Sequence, residues 1–557
     1  MIFLYMTLPV LANDPIISAA QQELKRNLNN LSLPEQPKPH SITYHIIDEQ
    51  TNVAYSQLGV LISENAGKNR KTRIEVRVGD KQFDNTNFSG TIGSQNGIAL
   101  QSLTTEENPL AIKRTLWLGT DNAFKGAAQE YSAKVAALDG VQPSSQPDML
   151  DIPIIQDKIT PLETPSIDVK EWARFLTAEP VTAMEIEEFS AVANETKTTH
   201  TIITSEGTMI QFPESKIILR VEAIARADDG ATIRNTRSWV VKRPDQLPKK
   251  EEIANEIKAM LNWIDRLKTA PVEEDYLGPV YFEPQASVEL FRQLLPREIS
   301  ANPPESEPPD EFGELKTPVA SSRKGRRLLP ECWSVIDDAQ RYPELLGSYK
   351  YDYEGVESRP VKLIENGVVV DLLMSRIPRK GFSESTGHGR SQGRTRRIPV
   401  QSVVEVIPPK RKNFRKIKRK AFSLAKQSGK DYIIVIRKIT NLALNEDFEI
   451  TFSGDGPLSG LTPPMEAFRL YKDGREEPIR GVQFVGVDKR VLRDIIFAGP
   501  QSNWTNLTDD TPNANRYSIG VAGGMGTSWS APSVLISEIE LKGQGGKENR
   551  IIPNPKE

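Results

Sequence analysis

From Asp14 onward the apolar positions first recur every three to four residues. Ile17, Ala20, Leu24, Leu28 and Leu31 share one face, Asp14 can cap and Pro15 suits a first turn, so the pattern predicts a helix that stops near the Pro34–Pro39 cluster. The period then changes to two. Ile42, Tyr44 and Ile46 alternate, Val53 to Ile62 reads as extended, and Ile74, Val76 and Val78 alternate up to Gly79-Asp80, which predicts sheet strands. Helical spacing returns from Asn108 to Leu138, with Leu116, Phe124, Ala127, Tyr131, Val135 and Leu138 on a core-facing stripe. Further on, 167–177 reads as helix, 201–203 and 217–225 as extended, Gly207 and Gly230 as turns, and Ile253, Ile257, Leu261, Ile264 and Leu267 as an amphipathic helix.

The sharpest break lies between Ser300 and Arg327, where prolines and acids give way to Arg323-Lys324-Gly325-Arg326-Arg327 and little can be buried. Beyond it strand-like runs dominate: 361–364, 368–373, 432–436, 468–471 and 534–541. The predicted class is α+β, an N-terminal mixed helix and sheet region followed by a large antiparallel, barrel-like β domain. The expected division is a candidate signal peptide at 1–12, an α+β domain at 13–150, a central α+β region at 151–299, an exposed loop at 300–327, a β-rich domain at 328–545 and a tail at 546–557. No repeat of fixed period is present.

Composition narrows the chemistry. A chain of 557 residues has ample material for more than one core, and a net charge of -3 leaves any polyanion site to a local patch. The single cysteine, Cys332, excludes an intrachain disulfide and a multi-cysteine zinc site. Met1 to Ala12 is apolar and ends in Val10-Leu11-Ala12, a pattern suited to signal peptidase, and it is too short to span a bilayer. No Lys or Arg precedes it, so two readings stand: export to the periplasm or medium, or a frayed cytoplasmic N-terminus.

Few residues are arranged for catalysis. His40 and His45 are the one close histidine pair, but an offset of five on a strand puts them on opposite faces, while His200 and His388 stand alone in sequence. Neither HExxH nor CxxC occurs. Asp337-Asp338 and Glu476-Glu477 read as solvated turns, because adjacent side chains on a strand point apart. Lys410 to Lys430 carries ten Lys or Arg and no acid, with Phe414, Ile417, Ala421 and Leu424 as its apolar side. It reads as a solvated face over the protein's own core ahead of a nucleic-acid or membrane contact.

Four segments together carry a resemblance. Tyr351-Asp352-Tyr353-Glu354-Gly355, Leu363-Ile364-Glu365-Asn366-Gly367, Asp371-Leu372-Leu373-Met374-Ser375-Arg376 and Ser385-Thr386-Gly387-His388-Gly389-Arg390 resemble, in order, the stretch that TldD/PmbA proteins write as DDEG…LIENG…(S/A)R and TGNGR. Thr204-Ser205-Glu206-Gly207 is similar to the family's NSEG strand end, Gly278-Pro279-Val280-Tyr281-Phe282 to the strand before its central helix, and Gly474 with 478–484 to a late hairpin. The resemblance implies a metallopeptidase-related protein acting in a paired assembly. There the TldD-type subunit holds zinc on an HExxxH helix, with a late cysteine completing the site and the glutamate activating water.

In this chain the HExxxH position falls on Arg292-Gln293-Leu294-Leu295-Pro296-Arg297, and Gly523-Gly524-Met525-Gly526 lacks the cysteine. Arg292 and Arg297 offer no lone pair, and Gln293 cannot act as a general base. The expectation is a PmbA-like, non-catalytic subunit with no cofactor of its own. Its partner is a TldD-like subunit that carries the zinc, or a second copy of itself, and its substrate is a peptide. Arg376, His388 and Arg390 are the expected substrate-lining residues, with Asp371 and Glu384 as acids that could instead pair with the arginines. The two other readings are an autonomous metallopeptidase with an unrecognised metal site and a polyanion-binding protein using residues 410–430. If the N-terminal run is a signal peptide, mass spectrometry of the native protein finds a mature chain beginning at Asn13; a retained Met1 reverses the export reading.

Overall fold

The structure is a computed structural model, and it describes residues 14–88, 97–139, 146–160, 165–179, 185–301, 324–379, 381–390, 396–441, 461–509 and 524–543. The expected signal peptide, most of the 300–327 loop, Gly523 and the tail lie outside these residues. The helix α1 (Pro15–Asn30) starts where the sequence indicates. Asp14 accepts from the backbone N–H of Ile16 and Ile17, Pro15 opens the first turn, and Ile17, Ala20 and Leu24 are buried. Strands β1 (Pro39–Gln57) and β2 (Val60–Val78) form a long hairpin turning at Leu58-Gly59, which cuts the expected 53–62 run in two. Then come β3 (Ile98–Leu103) and α2 (Pro109–Ala137), capped by Asn108. On α2 Leu116, Phe124 and Ala127 face the core, but Val135 is exposed because Lys134 takes the inward position. Lys134 reaches the carbonyls of Asp84 and Thr86 and the carboxylate of Asp148.

The chain continues through β4 (Gln156–Lys158), α3 (Val169–Leu176), β5 (Ile186–Thr204), β6 (Met209–Arg226), β7 (Thr232–Val241) and α4 (Lys250–Lys268). These strands join one seven-stranded sheet, β3-β2-β1-β5-β6-β4, with β7 also on β6. It is thus a single sheet that draws on both the 13–150 and the 151–299 segments, through the antiparallel pairing of β1 with β5.

A second half begins with β8 (Tyr276–Phe282), followed by α5 (Pro284–Leu294), α6 (Pro296–Ile299), β9 (Ser334–Asp337), β10 (Val361–Glu365), β11 (Val368–Val369), β12 (Gly389–Arg390), β13 (Ile398–Pro399) and β14 (Val403–Ile407). After α7 (Phe414–Gln427) and β15 (Tyr432–Ile439) come β16 (Pro464–Tyr471), β17 (Glu476–Ile479), β18 (Val482–Phe484), β19 (Ile495–Gln501), β20 (Thr505–Asp509), β21 (Met525–Ser530) and β22 (Pro532–Gly543). They build a six-stranded sheet, β11-β10-β9-β14-β21-β20, a seven-stranded one, β17-β16-β15-β8-β22-β18 with β19 on β22, and the small β12-β13 pair. Pairing is mostly antiparallel, with parallel contacts of β8 with β15 and β14 with β21. The α+β class holds. The expected 368–373 strand shrinks to β11, since the chain leaves the ladder at Val370 to bring Asp371–Arg376 inward.

The two halves share a core. Ile253, Ile257, Leu261 and Ile264 on α4 lie between Leu219 and Val221 of the first sheet and Val435, Phe468 and Leu470 of the second half. Ile417, Ala421 and Ala425 of α7 belong to the same cluster. Each such side chain gains about 1.5–3 kcal/mol by leaving water, so the junction is a hydrophobic core rather than a hinge.

Gly387 sits in a turn at φ +71° where an added Cβ would meet the Glu357 carbonyl at 2.4 Å, whereas Gly381, at φ +88°, has open space around it. Both left-handed conformations cost an L-residue about 1–2 kcal/mol. Only Gly387 adds a backbone clash. Denaturant unfolding should show Gly387→Ala losing about 1–3 kcal/mol more than Gly381→Ala.

Candidate functional site

Four of the seven segments that carry the family resemblance, at 204–207, 351–355, 371–376 and 385–390, meet in one buried polar cluster between the halves. Glu206, on the turn joining β5 to β6, receives two hydrogen bonds from Arg376, Nη1 to Oε2 at 2.7 Å and Nη2 to Oε1 at 3.0 Å. The same guanidinium donates from Nε and Nη2 to the Leu150 carbonyl at 3.0 and 2.9 Å. Neither Asp371 nor Glu384 is its partner; Asp371 faces Arg359 at 3.9 Å. With its donors committed and 3% exposed, Arg376 is a clamp between segments 170 residues apart, not a free anchor for a ligand. Burial disfavours the Glu206 anion, but the bonds from Arg376 and Lys81 outweigh it and bring its carboxyl to about 2.

Asp352 and Glu354 lie on the next segment. The Asp352 carboxylate accepts the backbone N–H of Glu354 (2.9 Å), Val356 (2.9 Å) and Gly389 (2.7 Å). Glu354 Oε2 accepts the N–H of Arg376 at 2.7 Å and lies against Gly389, where a Cβ would be 2.1 Å from it. Burial, then the neighbouring Asp352 charge, pushes Glu354 upward. Three amide donors stabilise Asp352 as the anion, so the pair's shared proton belongs on Glu354.

His388 is fully buried in the Thr386–Arg390 turn. Its Nδ1 lies 2.9 Å from the Thr386 carbonyl, which only accepts, so Nδ1 carries a proton. Its Nε2 lies 3.7 Å from Asp337 Oδ1. Asp337 is therefore not a solvated turn residue. It closes β9 with 0% exposure and accepts the N–H of Ser402 and Val403 and the Ser402 hydroxyl. Burial opposes its charge, yet His388 and Ser402 hold it below the usual range. Arg390 donates from Nη2 to the Gly526 carbonyl at 3.1 Å, with its guanidinium carbon 4.6 Å from the Tyr349 ring centre and 5.8 Å from that of Tyr353. Its Nη1, also buried, has no hydrogen-bond partner among the described residues. Arg390 thus joins the Gly-rich turn to the late Gly524–Gly526 run and keeps one donor unspent.

His200 does not stand alone either. Arg397 Nη2 donates to His45 Nδ1 at 2.7 Å, His45 Nε2 lies 2.9 Å from His200 Nδ1, and His200 Nε2 lies 3.2 Å from Glu214 Oε2. Arginine only donates, so His45 Nδ1 accepts, His45 Nε2–H donates to His200, and His200 Nε2–H donates to Glu214. Burial and the Arg397 charge keep His45 neutral, well below its ordinary value. Burial opposes the Glu214 charge, but His200 and Arg390 hold that carboxyl far below the normal range; it also accepts from Tyr353 Oη at 2.9 Å. No sequence spacing marks this relay, because its members come from β1, β5, β6 and two distant loops. The segment Gly389-Arg390-Ser391-Gln392-Gly393 has the G-x-S-x-G spacing of a serine elbow. Such an elbow is a strand-to-helix turn. Here Gly389–Arg390 pairs with β13, and Ser391 lies outside the described residues.

The expected zinc-motif positions sit elsewhere, on α5 and α6. Arg292 Nε donates to Glu289 Oε2 at 2.8 Å and Nη2 to Asn441 Oδ1 at 3.4 Å. Gln293 Nε2 donates to Thr462 Oγ1 at 2.9 Å, and its Oε1 accepts the Thr462 N–H at 2.9 Å. The helix breaks after Leu294, Pro296 starts α6, and Arg297 is exposed while Arg292 is buried, so the two ends do not face one point. Among the described residues no three His, Cys, Asp or Glu side chains gather as a metal site would need.

The sequence profile of the PmbA/TldA metallopeptidase C-terminal domain matches residues 277–543, the whole second half. A metalloprotease of Methanocaldococcus jannaschii is 41% identical over 91 residues, which is 16% of this chain and 20% of that one. The match therefore spans about a fifth of that relative's length. Among solved structures, TldE from Thermococcus kodakarensis superposes with a TM-score of 0.59 at 13% identity, covering 94% of this chain and 100% of that one. A protein of Thermotoga maritima described as a candidate modulator of a DNA gyrase gives 0.57 at 13% identity, over 90% and 96% of the two chains. A similarly described protein of Bacteroides thetaiotaomicron gives 0.59 at 11%, over 96% and 100%. These structural likenesses establish the shared fold. Residues 277–543 belong to the TldD/PmbA family.

The proton on Glu354 has a consequence for stability. A carboxyl raised on folding favours the native state below its unfolded value of ~4.3 and loses that advantage as pH rises toward about 8. Glu354→Gln keeps an oxygen for the Arg376 N–H and has no proton to lose. Urea unfolding at pH 5 and pH 8 should show a flatter slope for the variant, by up to about 1.4 kcal/mol per pH unit. An unchanged slope would place the proton elsewhere.

Proposed function

We propose that this chain is a zinc-free, PmbA-like subunit that pairs with a TldD-like metallopeptidase subunit and helps to shape its peptide path. One observation carries the reading: the helix on which the resemblance places the zinc ligands of the TldD type is closed in this chain by side-chain bonds among Glu289, Arg292, Gln293, Asn441 and Thr462. This donor set does not fit zinc. Its one carboxylate, Glu289, already accepts from Arg292 and Gln293, and a permanent guanidinium cation stands where an imidazole would be.

In this reading the buried cluster holds the peptide-facing segment in place. Arg376 fixes that segment from behind, and His388 with Asp337 sets the Thr386–Arg390 turn. Arg390, as buried as Arg376 but with an Nη1 that has no hydrogen-bond partner among the described residues, is the residue we assign to a substrate carbonyl or terminal carboxylate. Pairing with a second copy of this chain would bring two such turns together and no zinc. The relative called a metalloprotease supports peptide processing as the field of action, and the two structural neighbours described as gyrase modulators leave the target protein open.

Elemental analysis of the purified chain should find no stoichiometric zinc, and chelator should change no peptidase activity of the chain alone. One zinc per chain with chelator-sensitive hydrolysis would establish the autonomous metallopeptidase instead. In a reconstituted pair, Arg390→Ala should lower peptide turnover about 10-fold or more, the worth of one charge-assisted hydrogen bond. Turnover at the wild-type rate removes Arg390 from the peptide path.

A further inference from the structure

The basic segment 410–430 is explained neither by the buried cluster nor by the peptide path. Ile417, Ala421 and Ala425, each fully buried, seat α7 on the strands β8, β15, β19 and β22. At 100° per residue the opposite arc holds Arg415, Lys416, Arg419, Lys420 and Lys426, with only Ser423 and Gln427 between them. That arc has no acid and no apolar side chain.

Cations elsewhere on this surface are commonly paired: Lys125 with Asp121, Lys170 with Glu64, Lys250 with Glu171, Lys362 with Glu365. None of the ten Lys and Arg of 410–430 makes an ion pair among the described residues, and three of them, Lys412, Lys418 and Lys430, lie only near aromatic rings. The β16–β17 turn extends the patch. A Cβ on Gly474 would be 3.8 Å from Lys418 Nζ, and exposed Lys472 and Arg475 flank that glycine. The acids nearby are exposed Asp431 and Asp473, with Glu476 and Glu477 facing Arg437, Arg469 and Tyr471.

We infer that the outer face of α7 binds the phosphate backbone of a nucleic acid without regard to its sequence. A row of unpaired cations on a helix about 21 Å long matches several consecutive phosphates and releases their counterions. An anionic membrane fits less well. A helix lying on a bilayer buries its own apolar face in lipid, and the apolar face of α7 is already within the protein, leaving half-exposed Phe414 at its N-terminal end.

The test uses the full chain and a fluorescent 20-base-pair DNA duplex, followed by anisotropy. Contacts to three or four phosphates should weaken binding roughly 40- to 150-fold between 50 and 200 mM salt. The triple variant Arg415→Gln/Arg419→Gln/Lys426→Gln, exposed at all three positions, should lose at least about tenfold in affinity at 50 mM and flatten the salt dependence. A control triple, Lys125→Gln/Lys170→Gln/Lys258→Gln, removes the same charge elsewhere and should bind like the wild type. The inference is overturned if the wild type does not bind the duplex at 50 mM salt, if the α7 variant binds as well as the control, or if phosphatidylserine vesicles are retained through α7 while the duplex is not. Zinc content and peptidase activity of the chain do not enter this outcome.

Discussion

One buried guanidinium ties the two halves together at the cluster. Arg376 spans the Glu206 carboxylate and the Leu150 carbonyl while its own backbone N–H holds Glu354. Taking a cation and an anion out of water costs several kcal/mol for each ion, and only a bidentate pair with further hydrogen bonds recovers that cost. Glu206 is partly buried and also meets Lys81, so what Arg376 alone supplies is the bidentate pair and the bonds to Leu150, and both depend on the fit between the first sheet and the Asp371–Arg376 segment. The hydrophobic junction around α4 brings the halves together without direction. The ion pair sets the register in which they meet.

Proton placement follows from the same burial. Arginine and carbonyl groups can each act in one sense only, so they fix the tautomers of His45 and His200 and put a proton on His388 Nδ1, and amide donors around Asp352 leave the proton to Glu354. The cluster is therefore a set of oriented donors and acceptors, buried at His45, Asp337, Asp352 and His388 and partly open at Glu206 and Glu214. That suits a rigid wall more than a site that exchanges protons with bulk water, which is what the proposed non-catalytic role asks of it.

Charge is used in opposite ways at two helices. On α5 a cation points inward and is satisfied by Glu289 and Asn441, which closes the helix to a metal. On α7 the cations point outward and make no ion pair among the described residues, which leaves the helix open to a polyanion. Both helices are amphipathic with buried apolar faces, so the difference lies in whether an acid is within reach.

Much of the architecture was legible along the chain. Asp14-Pro15 and Asn108-Pro109 announce α1 and α2, the alternation at 42–46 and 74–78 marks β1 and β2, and the order of short motifs from Thr204 to Arg390 indicates the family. Local signals of this kind survive because capping, turn geometry and strand alternation act over a few residues. Spacing could not say that Lys134 rather than Val135 turns inward, that Asp337 is buried, or that His45, His200 and Glu214 form one relay. Those facts depend on contacts between segments distant in sequence, 50 residues for Lys134 with Asp84, 65 for Asp337 with Ser402 and 155 for His45 with His200, which the sequence by itself leaves undetermined. The sequence determined which elements form and that Arg292, Gln293 and Arg297 cannot ligate zinc as a set. Only the tertiary structure decided which charges are buried together and which, along α7, face water alone, because desolvation depends on what covers a group rather than on its neighbours in the chain.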